Sequence, residues 1–181
     1  TLGDIAQLVK DRINFFSLTI GNAEITARSS FDKALPQFFD FAARIVSDTL
    51  NILLSNAIKF NYPGGWIHVD VFLHHKGELL DKEAEKHVSN WFPILYQEGE
   101  EQGRSVIIAI SHSDPGIPRE TVPLLFKKHE RLGPAFLEKI KQAHGISLFV
   151  AIYLVRMHGG TIGAGSQEGK GSTFYFSVPL S

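Results

Sequence analysis

Cysteine is absent from the 181 residues, which removes disulfide scaffolds, thiolate metal sites and cysteine nucleophiles from consideration. A chain without it suits a reducing compartment. Neither charge sign is in excess: 18 Lys and Arg face 19 Asp and Glu, so no global basic field points to nucleic acid. No apolar run approaches the roughly 20 residues that span a bilayer, and no signal-peptide pattern opens the chain, so direct membrane insertion is not expected. Methionine occurs once, at 157, and the chain starts at Thr1, which predicts excision from something longer. What is present is ordinary for a globular domain: 44% hydrophobic and 20% charged residues, enough for one sizeable core but short for two.

Hydrophobic spacing predicts the elements. Leu2, Ile5, Leu8, Val9, Ile13 and Phe16 fall at helical intervals, so residues 1–16 read as a linker or first helix that Gly21-Asn22 breaks. Ala23 to Arg28 alternates like a strand. A second helix is expected from about Asp40 to Phe60, stopped by Pro63-Gly64-Gly65. Ile67, Val69, Val71 and Leu73 alternate as a strand, and the next strand, Ser105 to Ser111, follows only after about thirty residues, too long for a hairpin loop. Residues 75–104 therefore form an insertion between two strands, with a helix expected over Gly77 to Trp91 and a solvated acidic turn over Glu98 to Arg104. Further helices are expected near Arg119 to Lys128, from Pro134 to Gln142 and from Gly145 to Met157, the last ended by His158-Gly159-Gly160. Thr161 to Gly165 and Ser172 to Pro179 close the chain as a hairpin, with Phe174, Phe176 and Val178 on one face. This order predicts one α/β domain, a sheet with helices on one side.

Asn56 lies on the apolar stripe of the second helix, where an unpaired amide costs roughly 1–3 kcal/mol. A satisfied core amide is the plain reading. Lys59 and Phe60 follow at i+3 and i+4 on nearly the same face. Together the three offer an oxygen for a hard cation, a positive charge for phosphate and a ring for stacking, which favours a nucleotide site.

The run Leu53-Leu54-Ser55-Asn56-Ala57-Ile58-Lys59-Phe60 resembles the asparagine box of sensor histidine kinases. His158-Gly159-Gly160, Gly171-Ser172-Thr173-Phe174 and Val178-Pro179-Leu180 resemble the end of their ATP-binding domain. Between them, Pro115-Gly116-Ile117-Pro118 and Leu125-Phe126 through Arg131 follow the order of the first glycine box and the phenylalanine box. The resemblance covers nearly the whole chain. It implies the Bergerat fold, an α/β two-layer sandwich of a mixed, mostly antiparallel sheet with helices on one face, holding ATP or ADP with magnesium under a lid, here residues 119–145. Carried over residue by residue, it implies Asn56 at the magnesium. Lys59, Phe60, His112, Asp114, Gly116 and Ile117 would then meet the nucleotide, together with Arg131, Gly145, Leu148 and Thr173. No residue of the chain is implied as catalytic.

The departures from the family pattern are as informative. Ile52 stands where the family has a second asparagine, four residues before Asn56. Aligned without a gap, His112 replaces the aspartate that reads the adenine amino group, and Asp114 replaces the first glycine. A neutral imidazole still accepts one hydrogen bond, but a protonated one does not. A two-residue deletion would instead put Asp114 in the adenine role; the ungapped version keeps Ile108 and Ile110 in step along the strand and is preferred. In the second glycine box, Ala143-His144-Gly145-Ile146-Ser147-Leu148, only the central glycine survives, although the helix that starts there still offers free N–H groups to an anion. Phe136 to Lys141 resembles a lid segment stiffer than a glycine-rich one.

With Ile52, His112, Asp114, Ala143 and Ser147 altered, each lost contact costing on the order of 1 kcal/mol, binding would weaken thousands-fold, from micromolar to millimolar or nothing. The expectation is a degenerate, pseudokinase-like domain of two-component signal transduction, with nucleotide held weakly or not at all. The alternative is an active domain that supplies the phosphoryl group for histidine autophosphorylation. No histidine sits in a phosphoacceptor context. The implied partners are the dimerisation and phosphoacceptor domain of the parent chain, another histidine kinase, or a response regulator, in the cytoplasm, with a parent open to membrane anchoring. His74-His75 and Lys127-Lys128-His129 are expected to be solvated. Trp91, Phe92 and Tyr96 are expected to pack the insertion down or to meet a partner.

Overall fold

The computed structural model describes residues 1–100, 103–126 and 147–180. Its elements are β1 (Leu2–Gly3), α1 (Ile5–Asn22), β2 (Thr26–Phe31), β3 (Phe39–Asp40), α2 (Ala43–Lys59), β4 (Trp66–His74), α3 (Leu80–His87), β5 (Tyr96–Glu98), β6 (Ser105–Ser113), a 3-10 turn (Val122–Phe126), α4 (Ser147–Met157), β7 (Ile162–Gln167) and β8 (Gly171–Pro179). The main sheet has six strands in the order β2-β4-β6-β8-β7-β5. Among the described residues only β2 and β4 run parallel; the other pairs are antiparallel. β1 and β3 form a separate small pair.

Strand alternation decides what each face does. Ile67, Val69 and Val71 of β4, Val106, Ile108 and Ile110 of β6, and Phe174, Phe176 and Val178 of β8 face one way. They meet Ile5 and Val9 of α1, Val46, Leu50, Leu53 and Leu54 of α2, and Leu148, Ala151, Ile152 and Val155 of α4, the main core. The three long helices thus share one face, as the pattern predicted, but the helix of the insertion lies on the other. Phe72, Ile107, Ala109 and Tyr175 face the other way, and α3 with Leu80, Ala84 and Val88 covers them in a second, smaller core. Gly163 leaves the space that the Tyr175 ring fills.

Several boundaries differ from the expectation for identifiable reasons. Asp4 caps α1, its side chain accepting from the Gln7 N–H at 3.0 Å, and buried Ile20 carries the helix past Gly21 to Asn22. Glu24, at φ 58°, makes the left-handed turn, so β2 starts at Thr26, three residues later than expected. The helix expected near Arg119 is instead the short 3-10 turn Val122–Phe126, and the insertion contributes an edge strand, β5, that the acidic run after Glu98 conceals. The segment expected to form a helix from Pro134 to Gln142 lies outside the described residues.

His74 is a further correction. It is 1% exposed rather than solvated, its Nδ1 against Glu83 of α3, whose other oxygen accepts from the His75 N–H at 3.0 Å and meets His75 Nδ1 at 2.9 Å. Burial alone would raise the Glu83 pKa, but these three partners outweigh it and hold the carboxyl below its ordinary value. The insertion packs down as one of its two readings had it: Trp91 donates Nε1–H to Asp81 at 2.7 Å and its ring lies 5.5 Å from Tyr175, while Tyr96 meets Phe126 at 5.0 Å.

Candidate functional site

Topology gathers the chemistry at one end of the sheet. α2 ends at Lys59, and the turn through Gly64 leads directly into β4, whose Ile67 pairs with His112 of β6. His112 pairs in turn with Ser172 of β8. α4 ends near Thr161, whose N–H bonds Ser177 at the far end of β8, so its first turn, with Leu148, points back to the His112 end. Asn56, His112, Asp114, Ile117 and Leu148 are therefore brought together on the helix side of the sheet.

Asn56 occupies the last full turn of α2 at 7% exposure, on the same stripe as Leu53, Leu54 and Ala57. Its Nδ2 is buried without a hydrogen-bond partner among the described residues. An orphan amide among aliphatic neighbours is what a ligand-facing residue looks like in a protein without its ligand. Lys59 is exposed, its Nζ 5.3 Å from the centre of the half-buried Phe60 ring. Ile52 is half-buried and brings no polar group.

His112 and Asp114 form the other end. Both point to the helix side, at 1% and 3% exposure, so the two alignments proposed from the sequence place neighbouring side chains rather than rival ones. His112 Nδ1 lies 3.2 Å from Asp114 Oδ2 and 3.3 Å from the Ser113 carbonyl, and its ring stacks on Phe174 at 6.0 Å. The Ser113 carbonyl accepts from Nδ1–H, while Asp114 Oδ2 is buried without a hydrogen-bond partner among the described residues. Burial pushes the His112 pKa down, only partly countered by Asp114 and the Ser113 carbonyl, so the imidazole stays neutral near pH 7. The second Asp114 oxygen accepts from the Gly116 N–H.

Gly116 and Ile117 serve the scaffold of this end. Gly116 has φ +87°, and an added Cβ would overlap the Glu168 backbone in the β7–β8 turn. The Gly169 N–H bonds the Pro115 carbonyl at 3.1 Å and the Ile117 N–H bonds Ser166 Oγ at 2.9 Å. Leu148 is fully buried in the main core. Arg131 and Gly145 lie outside the described residues, as do Lys127-Lys128-His129 and most of the 119–145 segment.

Thr173 is not part of this group. It faces the α3 side, where its Oγ1 bonds Ser111 Oγ at 2.8 Å and accepts from the Phe92 N–H at 3.1 Å, pinning the insertion to the sheet. The strand neighbour that faces the helix side is Ser172, bonded to Ser166 Oγ at 3.0 Å. The alternation of Phe174, Phe176 and Val178 already contained this assignment. Sequence reasoning also missed Asn61 and Ser113, which bond each other at 2.7 Å beside the site and carry no motif.

A cavity of about 660 Å³ lies elsewhere, between Phe41 to Ile45 and His158, Val178 and Pro179. It opens at the start of α2, about 18 Å from Asn56 at 1.5 Å per residue. Among the described residues no group of three or more acidic or histidine side chains is arranged to hold a metal, and no helix is long and apolar enough to cross a membrane.

For an ATP-type ligand with magnesium, the two ends of the site offer different groups. Asn56 fits, as a buried amide with unused hydrogen-bonding capacity. At the other end Asp114 Oδ2 is also buried without a hydrogen-bond partner among the described residues, with His112 Nδ1 3.2 Å away, so a carboxylate oxygen stands beside the imidazole there.

Comparison with known proteins bears on the same residues. Residues 43–181 match the family model described as histidine kinase-, DNA gyrase B-, and HSP90-like ATPase. The chain is 27% identical over 177 residues to the adaptive-response sensory kinase SasA of Thermosynechococcus vestitus, covering 98% of this chain and 38% of that protein. The catalytic domain of histidine kinase ThkA superposes with a TM-score of 0.66 at 17% identity, over 99% of this chain and 96% of that one. Full-length ShkA in complex with AMPPNP gives 0.68 at 18% identity, over all of this chain and 31% of that one. The chain spans less than two fifths of the length of the first curated relatives it matches. With 43–181 covering α2, the site and both closing strands, the chain belongs to the family of histidine kinase-, DNA gyrase B- and HSP90-like ATPases.

Proposed function

We propose that this domain works in two-component signal transduction as a regulatory or docking module whose nucleotide site has lost most of its grip. The observation that carries the reading is the buried His112–Asp114 pair. Aligned without a gap, His112 stands where the family presents a carboxylate to the purine, a neutral imidazole whose Nδ1 lies 3.2 Å from Asp114 Oδ2. Ile52 removes a second polar partner from the metal end.

When bound, magnesium nucleotide would supply a transferable phosphoryl group. Here Asn56 would hold the cation end, Lys59 would lend positive charge at the rim, and His112 with Phe174 would wall the purine end. The partners proposed are the dimerisation and phosphoacceptor domain of a parent chain, another histidine kinase or a response regulator, in the cytoplasm. One observation favours the second reading, an active ATP-binding domain for histidine autophosphorylation: the orphan Asn56 amide has been retained in the core.

Calorimetric titration with Mg-ATP and Mg-ADP separates the two. Millimolar or absent binding supports the degraded site, and saturation below about 100 μM that Asn56→Ala abolishes would establish the active one.

A further inference from the structure

We infer that Asn61 and Ser113 are positioning residues: a side-chain clasp that sets the spacing between the end of α2, which carries Asn56, and the end of β6, which carries His112 and Asp114. The inference rests on reading this end of the sheet as the nucleotide-type site and adds residues to it.

Asn61 lies just past α2, five positions after Asn56, and its N–H bonds the Ile58 carbonyl at 3.3 Å, so it moves with the helix end. Ser113 is fully buried and sits between His112 and Asp114. The Ser113 hydroxyl donates to Asn61 Oδ1 at 2.7 Å and accepts from the Trp66 N–H at 2.8 Å. Asn61 Nδ2 donates to the Trp66 carbonyl at 3.0 Å, and its Oδ1 also accepts from the Tyr62 N–H at 2.9 Å. Trp66 stands one step beyond the Ile67–His112 pair, so these side chains take over where the β4–β6 ladder ends. Gly65 completes the arrangement: it is buried, and a Cβ there would overlap both Asn61 Oδ1 and Ser113 Oγ.

A loop serving only to turn the chain from helix to strand needs the glycines of Pro63-Gly64-Gly65 but not a bond to a third element. The bond to Ser113 crosses from the helix end to the strand that carries the purine-end pair. Each polar atom of the clasp has its partner inside it, so the contact is short and directional rather than a tether. Side chains that touch ligand are held in place by such supporting bonds, and small displacements there carry large losses in binding.

The test reads the Asn56 side-chain amide by NMR in the isotopically labelled domain, assigned through its disappearance in Asn56→Leu. Ser113→Ala and Asn61→Ala are expected to move that amide by more than a line width. Asn61→Asp keeps the acceptor for the Ser113 hydroxyl but sets a carboxylate oxygen against the Trp66 carbonyl in place of the Nδ2 donor, so it is expected to move the amide as well. Thr173→Val, which cuts bonds on the opposite face, is the control and should not move it. The inference is overturned when the amide stays in place in both alanine variants, or when Thr173→Val moves it as far. Should Ser113→Ala fail to fold, Asn61→Ala with Asn61→Asp decides alone. Mg-ADP titration of the wild-type domain reports separately on the nucleotide reading, and an absence of binding there leaves the amide result standing.

Discussion

Replacing Asn56 by leucine should make the free domain more stable, and the argument is quantitative. The Asn56 amide is 93% removed from solvent yet its Nδ2 has no hydrogen-bond partner among the described residues, so the fold carries a desolvation cost of about 1–3 kcal/mol. Leucine has a similar volume and sits beside Leu53, Leu54 and Ala57; imperfect shape would return up to about 1.5 kcal/mol of that gain. A net stabilisation of about 1 kcal/mol is expected, raising Tm by about 2–4 °C for a chain of this size. Urea unfolding followed by circular dichroism measures it. A second arm adds ligand: 1 mM Mg-ADP stabilises the wild type by about 0.4 kcal/mol for a Kd near 1 mM and about 4.1 kcal/mol for one near 1 μM, and does nothing for Asn56→Leu. Destabilisation of the ligand-free leucine variant by more than about 1 kcal/mol would refute the reasoning, since it would mean the amide is satisfied in the native protein.

Three further outcomes follow from the geometry. Gly116→Ala should cost about 2 kcal/mol or more in chemical denaturation, because φ +87° combines with overlap on the Glu168 backbone, whereas Gly64→Ala, at the same φ in open space, should cost about 1 kcal/mol. Glu83→Gln should flatten the acid limb of the stability curve: the folded pKa is depressed, so the contribution is complete above the ordinary value of 4.5 and lost as pH falls through the lower folded value. An unchanged acid limb in pH-dependent thermal unfolding would contradict the His74–Glu83–His75 arrangement. Thr173→Val should lower stability by about 1–3 kcal/mol through the lost acceptor for the Phe92 N–H while leaving nucleotide titrations as in the wild type. A selective loss of nucleotide binding would return Thr173 to the site.

Much of the fold was legible because burial repeats with the period of the element. The alternation of Ile67, Val69, Val71 and Leu73 and of Phe174, Phe176 and Val178 marked two inner strands, and the stripe ending in Asn56 marked α2. β5 was illegible: three residues, Tyr96 to Glu98, are too few for a pattern, and only pairing with β7 makes them a strand. The start of β2 was misplaced because Glu24, rather than a glycine, took the left-handed turn.

For the site, sequence alone determined the residue types: a lone amide in an apolar stripe, a histidine two positions before an aspartate, and an isoleucine four positions before the amide. Those identities fix which protons can be given and which charges are available, because they are properties of covalent structure. Direction and partnership were decided only by the tertiary structure. Parity in the sheet sent Thr173 to the insertion and Ser172 to the helix side, while the path of the chain beyond the strands set Asp114 against His112 and brought Asn61 to Ser113 across 52 positions. Hydrogen bonds are short and directional, so which of them form depends on where the folded backbone places each donor, a distance that no local spacing encodes.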